Sequence, residues 1–310
     1  LEREGNFSQS LDLNNRLITV TDPTTGRAFP GNVVPGTQVD ANGRALLKAF
    51  PELNFLDRSV SKGNYNYVFQ SEQRSPKRTE TLKFDNHLTS NDIISFNYTY
   101  RHNTQEGTYG VGPGNNFDSV KAKNVNAGRA FIGRYQKIFT PTMVNEFNLG
   151  YSTRPWNHTV DPASLPRVQR SALGFKVGQF HPEMNPLDVL PNATFGGIPN
   201  AATHEVMGRF PLETAHKIFT LSNNFTKTLL RHILKAGFYA DRIWGKNHGS
   251  GVTFNGSISF NRDVNNPRDT GYAYANATLG VFQSYTEPSA RPIPEAILSN
   301  IEWFIQDNWK

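Results

Sequence analysis

From Thr81 onward the chain alternates apolar and polar side chains, which is the period of a β-strand, where successive side chains point to opposite faces. Leu82, Phe84 and Leu88 share one side, with Lys83, Asp85 and His87 on the other. After a short turn at Ser90-Asn91-Asp92 the pattern resumes, with Ile94, Phe96, Tyr98 and Tyr100 on one side and Ser95, Asn97, Thr99 and Arg101 on its opposite. Two such runs around a tight turn predict a hairpin. A second hairpin is centred on Thr140-Pro141-Thr142, where Phe131, Tyr135 and Phe139 meet Phe147, Leu149 and Tyr151, and Arg134, Gln136, Glu146 and Asn148 take the alternate positions. A third turns near Leu230-Arg231, bringing Phe219, Leu221 and Phe225 to Leu234, Ala236 and Phe238. Its alternate side carries His216, Thr220, Ser222 and Asn224, then Lys235, Tyr239 and Asp241. A seventh strand holds Trp303, Ile305 and Trp309, with Phe304, Gln306 and Asn308 between them.

Connection length alternates as strictly as side-chain character. The hairpin turns are short, whereas about 18 residues follow Arg101, nearly 60 follow Tyr151, over 50 follow Trp244, and some 75 precede the first strand. Such short-long alternation is the signature of an antiparallel up-and-down meander whose even and odd connections lie at opposite ends, as in membrane barrels with short inner turns and long outer loops. The long connections are rich in turn formers, as in Asp22-Pro23-Thr24-Thr25-Gly26, Pro182 to Pro199 and Asn265-Asn266-Pro267, and they read as loops. Gly107 to Gly114 reads as a loop tip. Residues 40–50 predict one short helix behind an Asp cap.

Composition narrows the class. The 310 residues contain 22 Phe and 11 Tyr beside 25 Gly and 19 Pro, which favours β structure over disorder. With 32 Lys plus Arg against 26 Asp plus Glu, the net charge is only +6, and no basic cluster is dense enough for nucleic acid. The absence of Cys excludes a disulfide scaffold and thiol chemistry in this segment. No apolar run is long enough for a membrane helix, which leaves a barrel open. Strands of roughly ten residues match a tilted bilayer crossing. Rings at Tyr98, Tyr100, Phe139, Tyr151, Trp303 and Trp309 suit interfacial girdles. A closed barrel pairs every backbone group without any continuous apolar run, so a low mean hydropathy of −0.53 is expected of it. The competing class is a secreted β-rich adhesin or glycan-binding module, whose sheets alternate in the same way.

The residues also carry a resemblance. LEREGNFSQS at the start, DPTTGRAFPGNVVPGTQVDANGRALLKAFPELN, FDNHLTSNDIISFNYTYRH, YQKIFTPTMVNEFNLGYS, ILKAGFYADR and WFIQDNWK at the end resemble, in order, landmarks of TonB-dependent outer-membrane receptors of the Oar-like type. Those proteins carry a carboxypeptidase-regulatory-like domain, a plug and a ~22-stranded barrel. The resemblance implies that this chain is a barrel segment of about seven strands, with residues 1–78 an extracellular loop region and 79–310 strands and loops. It further implies that the plug and N-terminal domain lie upstream. Localisation in the bacterial outer membrane, contact with its lipid, with the plug and through it with TonB, and energised passage of an unknown extracellular ligand all follow as expectations. No enzymatic activity, cofactor, metal or nucleic-acid partner is implied.

The candidate contacts are the alternate-side charges, Lys83, Asp85, His87, Arg101, Arg134, Glu146, Lys235 and Asp241. They would line the lumen toward the plug or a passing ligand; equally, they would be an ordinary wet interior, ion-paired and solvated. The long segments Leu1 to Arg78, Trp156 to Leu212 and Lys246 to Ser299 are where recognition is expected, because loops on a rigid scaffold carry it. The histidines, among them His158, His181, His204 and His248, show no metal-ligand spacing and read as scattered surface residues. Asp263, Asn265 and Asp269 have the oxygen character of a calcium loop without its spacing. Ser, His and Asp occur without the local signature of a catalytic triad.

Overall fold

A computed structural model describes residues 1–70, 72, 74–109, 120–206, 212–247 and 253–309. The tip of the Gly107 to Gly114 run and His248 lie outside the described residues. Among the described residues ten strands occur: β1 Lys77–His87, β2 Asp92–Tyr109, β3 Lys121–Thr140, β4 Met143–Val160, β5 Asn192–Thr194, β6 Leu212–Leu229, β7 His232–Asn247, β8 Ser257–Ser259, β9 Ser284–Thr286 and β10 Glu295–Trp309. Seven of them form one antiparallel sheet in the order β1-β2-β3-β4-β6-β7-β10, each paired with its neighbour along the chain. The sheet is open, with β1 and β10 at its edges. This is the seven-stranded meander that the alternation foretold.

Register ties the strands into rows. On one face Phe84, Phe96, Gly133, Leu149, Leu221, Ala240 and Ile301 stand in line, and the next row holds Leu82, Tyr98, Phe131, Tyr151 and Phe219. Tyr98 and Phe131 bring ring centroids to 4.8 Å. The other face carries Asp85, Ser95, Arg134, Asn148, Ser222, Tyr239 and Glu302 in one row. Among the described residues no second layer covers the apolar face: Phe84 is 53% exposed, Trp303 76% and Ile305 77%. In water such a face would have to be buried.

The strands differ from expectation in length. Five of the seven run 16–20 residues and β10 runs 15, against roughly ten for a bare crossing. They continue beyond the apolar band at the long-connection end, where the residues are polar or mixed, so Trp156, placed in a loop by its sequence context, lies within β4. Likewise the third long segment begins after Asn247 and ends before Glu295. Trp303 falls six residues from Trp309 on β10, inside the apolar band and not in a girdle.

The larger correction concerns the long connections, which fold. They contain α1 Ala41–Leu47, α2 Arg58–Ser61, α3 Arg170–Leu173, α4 Ala273–Thr278 and a small sheet in which β8 pairs parallel with β5 and antiparallel with β9. The foreseen helix is α1, and Asp40 caps it by accepting from the Asn42 and Gly43 backbone N–H groups. Three distant segments share one core: Ala45, Leu46 and Leu47 from the first, Phe175, Leu190, Ala193 and Phe195 from the second, and Phe260, Ala273 and Ala277 from the third. A second core joins Phe7, Val20, Phe29 and Val34 to Tyr272 and Ala275. A third, made of Val120, Val168, Val189 and Val206 with Val160 packed against it, ties this cap to the ends of β3 and β4. His158 and His204, 2% and 1% exposed, are interior residues of this region, not surface ones.

Candidate functional site

All eight charged residues singled out in the sequence lie on one face of the sheet. Lys83, Asp85 and His87 on β1, Arg101 on β2, Arg134 on β3, Glu146 on β4, and Lys235 and Asp241 on β7 have the same parity when followed strand by strand through the register. The pleat explains this directly, since the apolar set occupies the alternate positions.

Five of the eight are engaged by neighbours. Lys83 Nζ sits 2.8 Å from Asp85 on the same strand. Arg134 reaches Glu146 at 3.7 Å and donates from Nε to Asn148 Oδ1 at 3.2 Å. Asn148 in turn donates to Glu146 at 3.1 Å and to Ser222 Oγ at 3.3 Å, carrying the network across β3, β4 and β6. Asp241 accepts from Tyr239 at 3.0 Å and from Asn300 Nδ2 at 3.0 and 3.2 Å. His87, Arg101 and Lys235 form no ion pair among the described residues. The wall therefore offers a braced polar lattice with three basic side chains outside its ion pairs, chemistry suited to a hydrated passage or a polar partner.

At the long-connection end the cap holds a groove of about 1650 Å³, formed where all three long segments meet. Its rim includes Arg3, whose guanidinium bonds Glu52 and the Phe50 and Pro51 carbonyls, fixing the first segment back on itself. Its floor includes Glu2, Tyr272 and Tyr274. Burial pushes the Glu2 carboxyl above the usual carboxylate range, and the same desolvation lifts both phenols, Tyr274 to about 12. Tyr274 OH accepts from Ala202 N at 3.2 Å, linking floor to rim. None of these groove residues has a local motif, and the sequence reading reached them only as members of long segments.

Asp269 accepts at Oδ1 from Gly271 N and Asn276 Nδ2 and at Oδ2 from Asp263 N. The Asp269 carboxylate is thus taken up by two backbone N–H groups of the turn and by the Asn276 side chain of α4.

The family model described as "Outer membrane beta barrel domain" matches residues 1–310. No curated protein matches the chain. Among solved structures it is similar to the outer membrane transporter YddB from Escherichia coli, with 11% sequence identity and a TM-score of 0.24, over 87% of this chain and 37% of that one. The chain thus spans little more than a third of the length of that protein.

Proposed function

This chain belongs to the outer membrane β-barrel domain family and resides in the bacterial outer membrane, and from that premise we propose that it is a wall-and-cap segment of a TonB-dependent receptor of the Oar-like type. In this reading the cap groove captures an extracellular ligand, and the charged face lines the passage and faces a plug carried elsewhere in the protein. The observation that carries it is the joining of two surfaces: a continuous polar wall built from every strand of the sheet, and a cap whose core is assembled from three connections at one end of it. A purely structural barrel needs the wall alone. The order of sequence landmarks supplies the finer assignment. The role is one of recognition and gating, without bond breaking.

The absence of native cysteine in these residues makes the test direct. Single Arg101→Cys, Lys235→Cys and Phe96→Cys variants are made in the whole protein, in a background free of other reactive thiols, and labelled in cells with a membrane-impermeant maleimide. The inward positions are expected to label, at rates that change when TonB is removed or the proton gradient is collapsed, while position 96 stays shielded by lipid. Inward labelling indifferent to both treatments refutes the energised receptor.

A further inference from the structure

The apolar face is not apolar to its end. One row above Tyr98, Phe131, Tyr151 and Phe219, on the long-connection side, the outward positions are Glu80, Tyr100, Arg129, Thr153, Lys217, Trp244 and Ile297. Arg242 stands beside them, opposite Phe219. We propose that Arg129, Lys217 and Arg242 form a binding site for the phosphate groups of a lipid headgroup in the outer leaflet.

Three observations support it. First, the charges are in excess. The outward carboxylates nearby are already committed, Glu80 to Arg78 and Glu295 to Lys246 at 2.9 Å, and Glu213 lies four residues further along β6. Arg129, Lys217 and Arg242 form no ion pair among the described residues. All three side chains are exposed.

Second, the spacing suits one polyanionic group. Arg129 and Lys217 are two strand steps apart, about 10 Å, and Arg242 is diagonal to Lys217 at about 7–8 Å between backbones. Side chains of this length can converge across such distances, and guanidinium forks bind phosphate oxygens in pairs.

Third, the place is the membrane boundary. The Arg129 guanidinium carbon lies 5.8 Å from the centroid of Tyr100, and that of Arg242 lies 5.4 Å from Trp244. Ring-held cations of this kind belong at headgroup depth, where rings and stems face acyl chains and charges face phosphate. Long connections mark the outer end of such barrels, which selects the outer leaflet. At the opposite end the outward cation Lys137 is neutralised by Asp92 at 2.6 Å and Lys227 stands as a single cation bonded to the Thr142 hydroxyl at 3.1 Å, so the cluster of three lies at the long-connection end. The inference rests on barrel orientation and not on the transport reading, so either can fail alone.

The test uses the whole protein in detergent, stripped of native lipid and titrated with diphosphoryl lipid A or with the same lipid dephosphorylated. The unaltered protein is expected to prefer the phosphorylated form. Substituting Arg129→Gln, Lys217→Gln and Arg242→Gln together is expected to weaken that binding about tenfold or more, and Lys137→Gln to leave it unchanged. Equal binding of the two lipids by the unaltered protein, or of lipid A by the triple variant, overturns the proposal. So does full displacement by low-millimolar inorganic phosphate, which would mark a site for the free ion. Heat-resistant migration of the folded barrel checks assembly; should the triple variant not assemble, Lys217→Gln and the two-lipid comparison still decide.

Discussion

Single side chains in this protein do work that regular structure does elsewhere. Asn32, with φ of 59°, is buried and donates to the Phe7 and Ile18 carbonyls at 2.7 and 2.8 Å while accepting from Val20 N at 2.8 Å, so one amide pairs three strands of loop. Asn185 brackets Val189 in both directions, and Asn255 bonds the Leu190 carbonyl and Asn192. Asparagine abundance therefore signals turns at some positions and interior backbone pairing at others, and sequence does not separate the two. Gly43 is as specific: a Cβ there would lie 1.9 Å from the Ala277 carbonyl oxygen, because α1 crosses α4 at that point. Gly43→Ala is expected to separate the helices and cost about 1–3 kcal/mol of cap stability, read as faster protease cleavage of the cap on intact cells. His204 supplies a pH dependence. Neither ring nitrogen has a partner, Phe50 packs 6.1 Å away, and burial lowers its pKa to about 4. The unfolded cap takes up this proton below the ordinary histidine value of 6.5 whereas the folded cap resists until about 4. Cap stability should thus be complete above that window and fall through it as pH drops, approaching a loss of about 3 kcal/mol. Protease sensitivity followed from pH 7 to 4 checks this, and His204→Leu should flatten the curve.

At the level of the strand, the sheet depends on which neighbour each face has. The outward Asn145 and Asn223 exchange amide hydrogen bonds of 2.7 and 3.1 Å, leaving fewer bare donors toward lipid. On the inward face Phe304 lies over Gly237, where a Cβ would approach its ring to 2.1 Å, and the fit holds β10 in register with β7. Phe96 sits in the middle outward row and Ser95 inward between Asp85 and Arg134. Phe96→Arg should therefore impair membrane assembly, at about 2–4 kcal/mol near the midplane, and Ser95→Arg, flanked by the Asp85 carboxylate, should be tolerated. Heat-resistant migration of each variant reports assembly; equal assembly would mean the faces are misassigned. These faces were legible in the sequence because a strand with unlike surroundings must alternate. The Asp40-capped helix was legible for a similarly local reason, since the cap and the residues it bonds are adjacent. Strand ends were not, because beyond the apolar band both faces meet polar surroundings and the period-two signal stops while hydrogen bonding continues.

For the molecule as a whole, the least legible feature is where its interior lies. The buried hydrophobic residues concentrate in the cap, while the sheet that announces itself in the sequence leaves its large apolar side chains exposed to lipid. Phe7, Val20, Phe29 and Val34 recur with no fixed period, because the backbone between them turns irregularly and their cluster is completed by Tyr272 and Ala275 from the third segment. Periodicity reports only local geometry, so a core assembled from three distant pieces leaves no trace in any one of them. Such a core should melt as a unit. Leu190, wholly buried in the second segment, packs in the same cluster as Leu46 of the first and Phe260 of the third. Leu190→Asp would place an unpaired carboxylate among them, a cost the cap has no local partner to offset. Limited proteolysis of cells displaying the variant is expected to open new cleavage sites in all three segments while the seven strands of the membrane sheet stay protected as the cap is cut away. Cleavage confined to residues near 190 would mean the three connections fold separately, and a groove between them could then hold no fixed shape for a ligand.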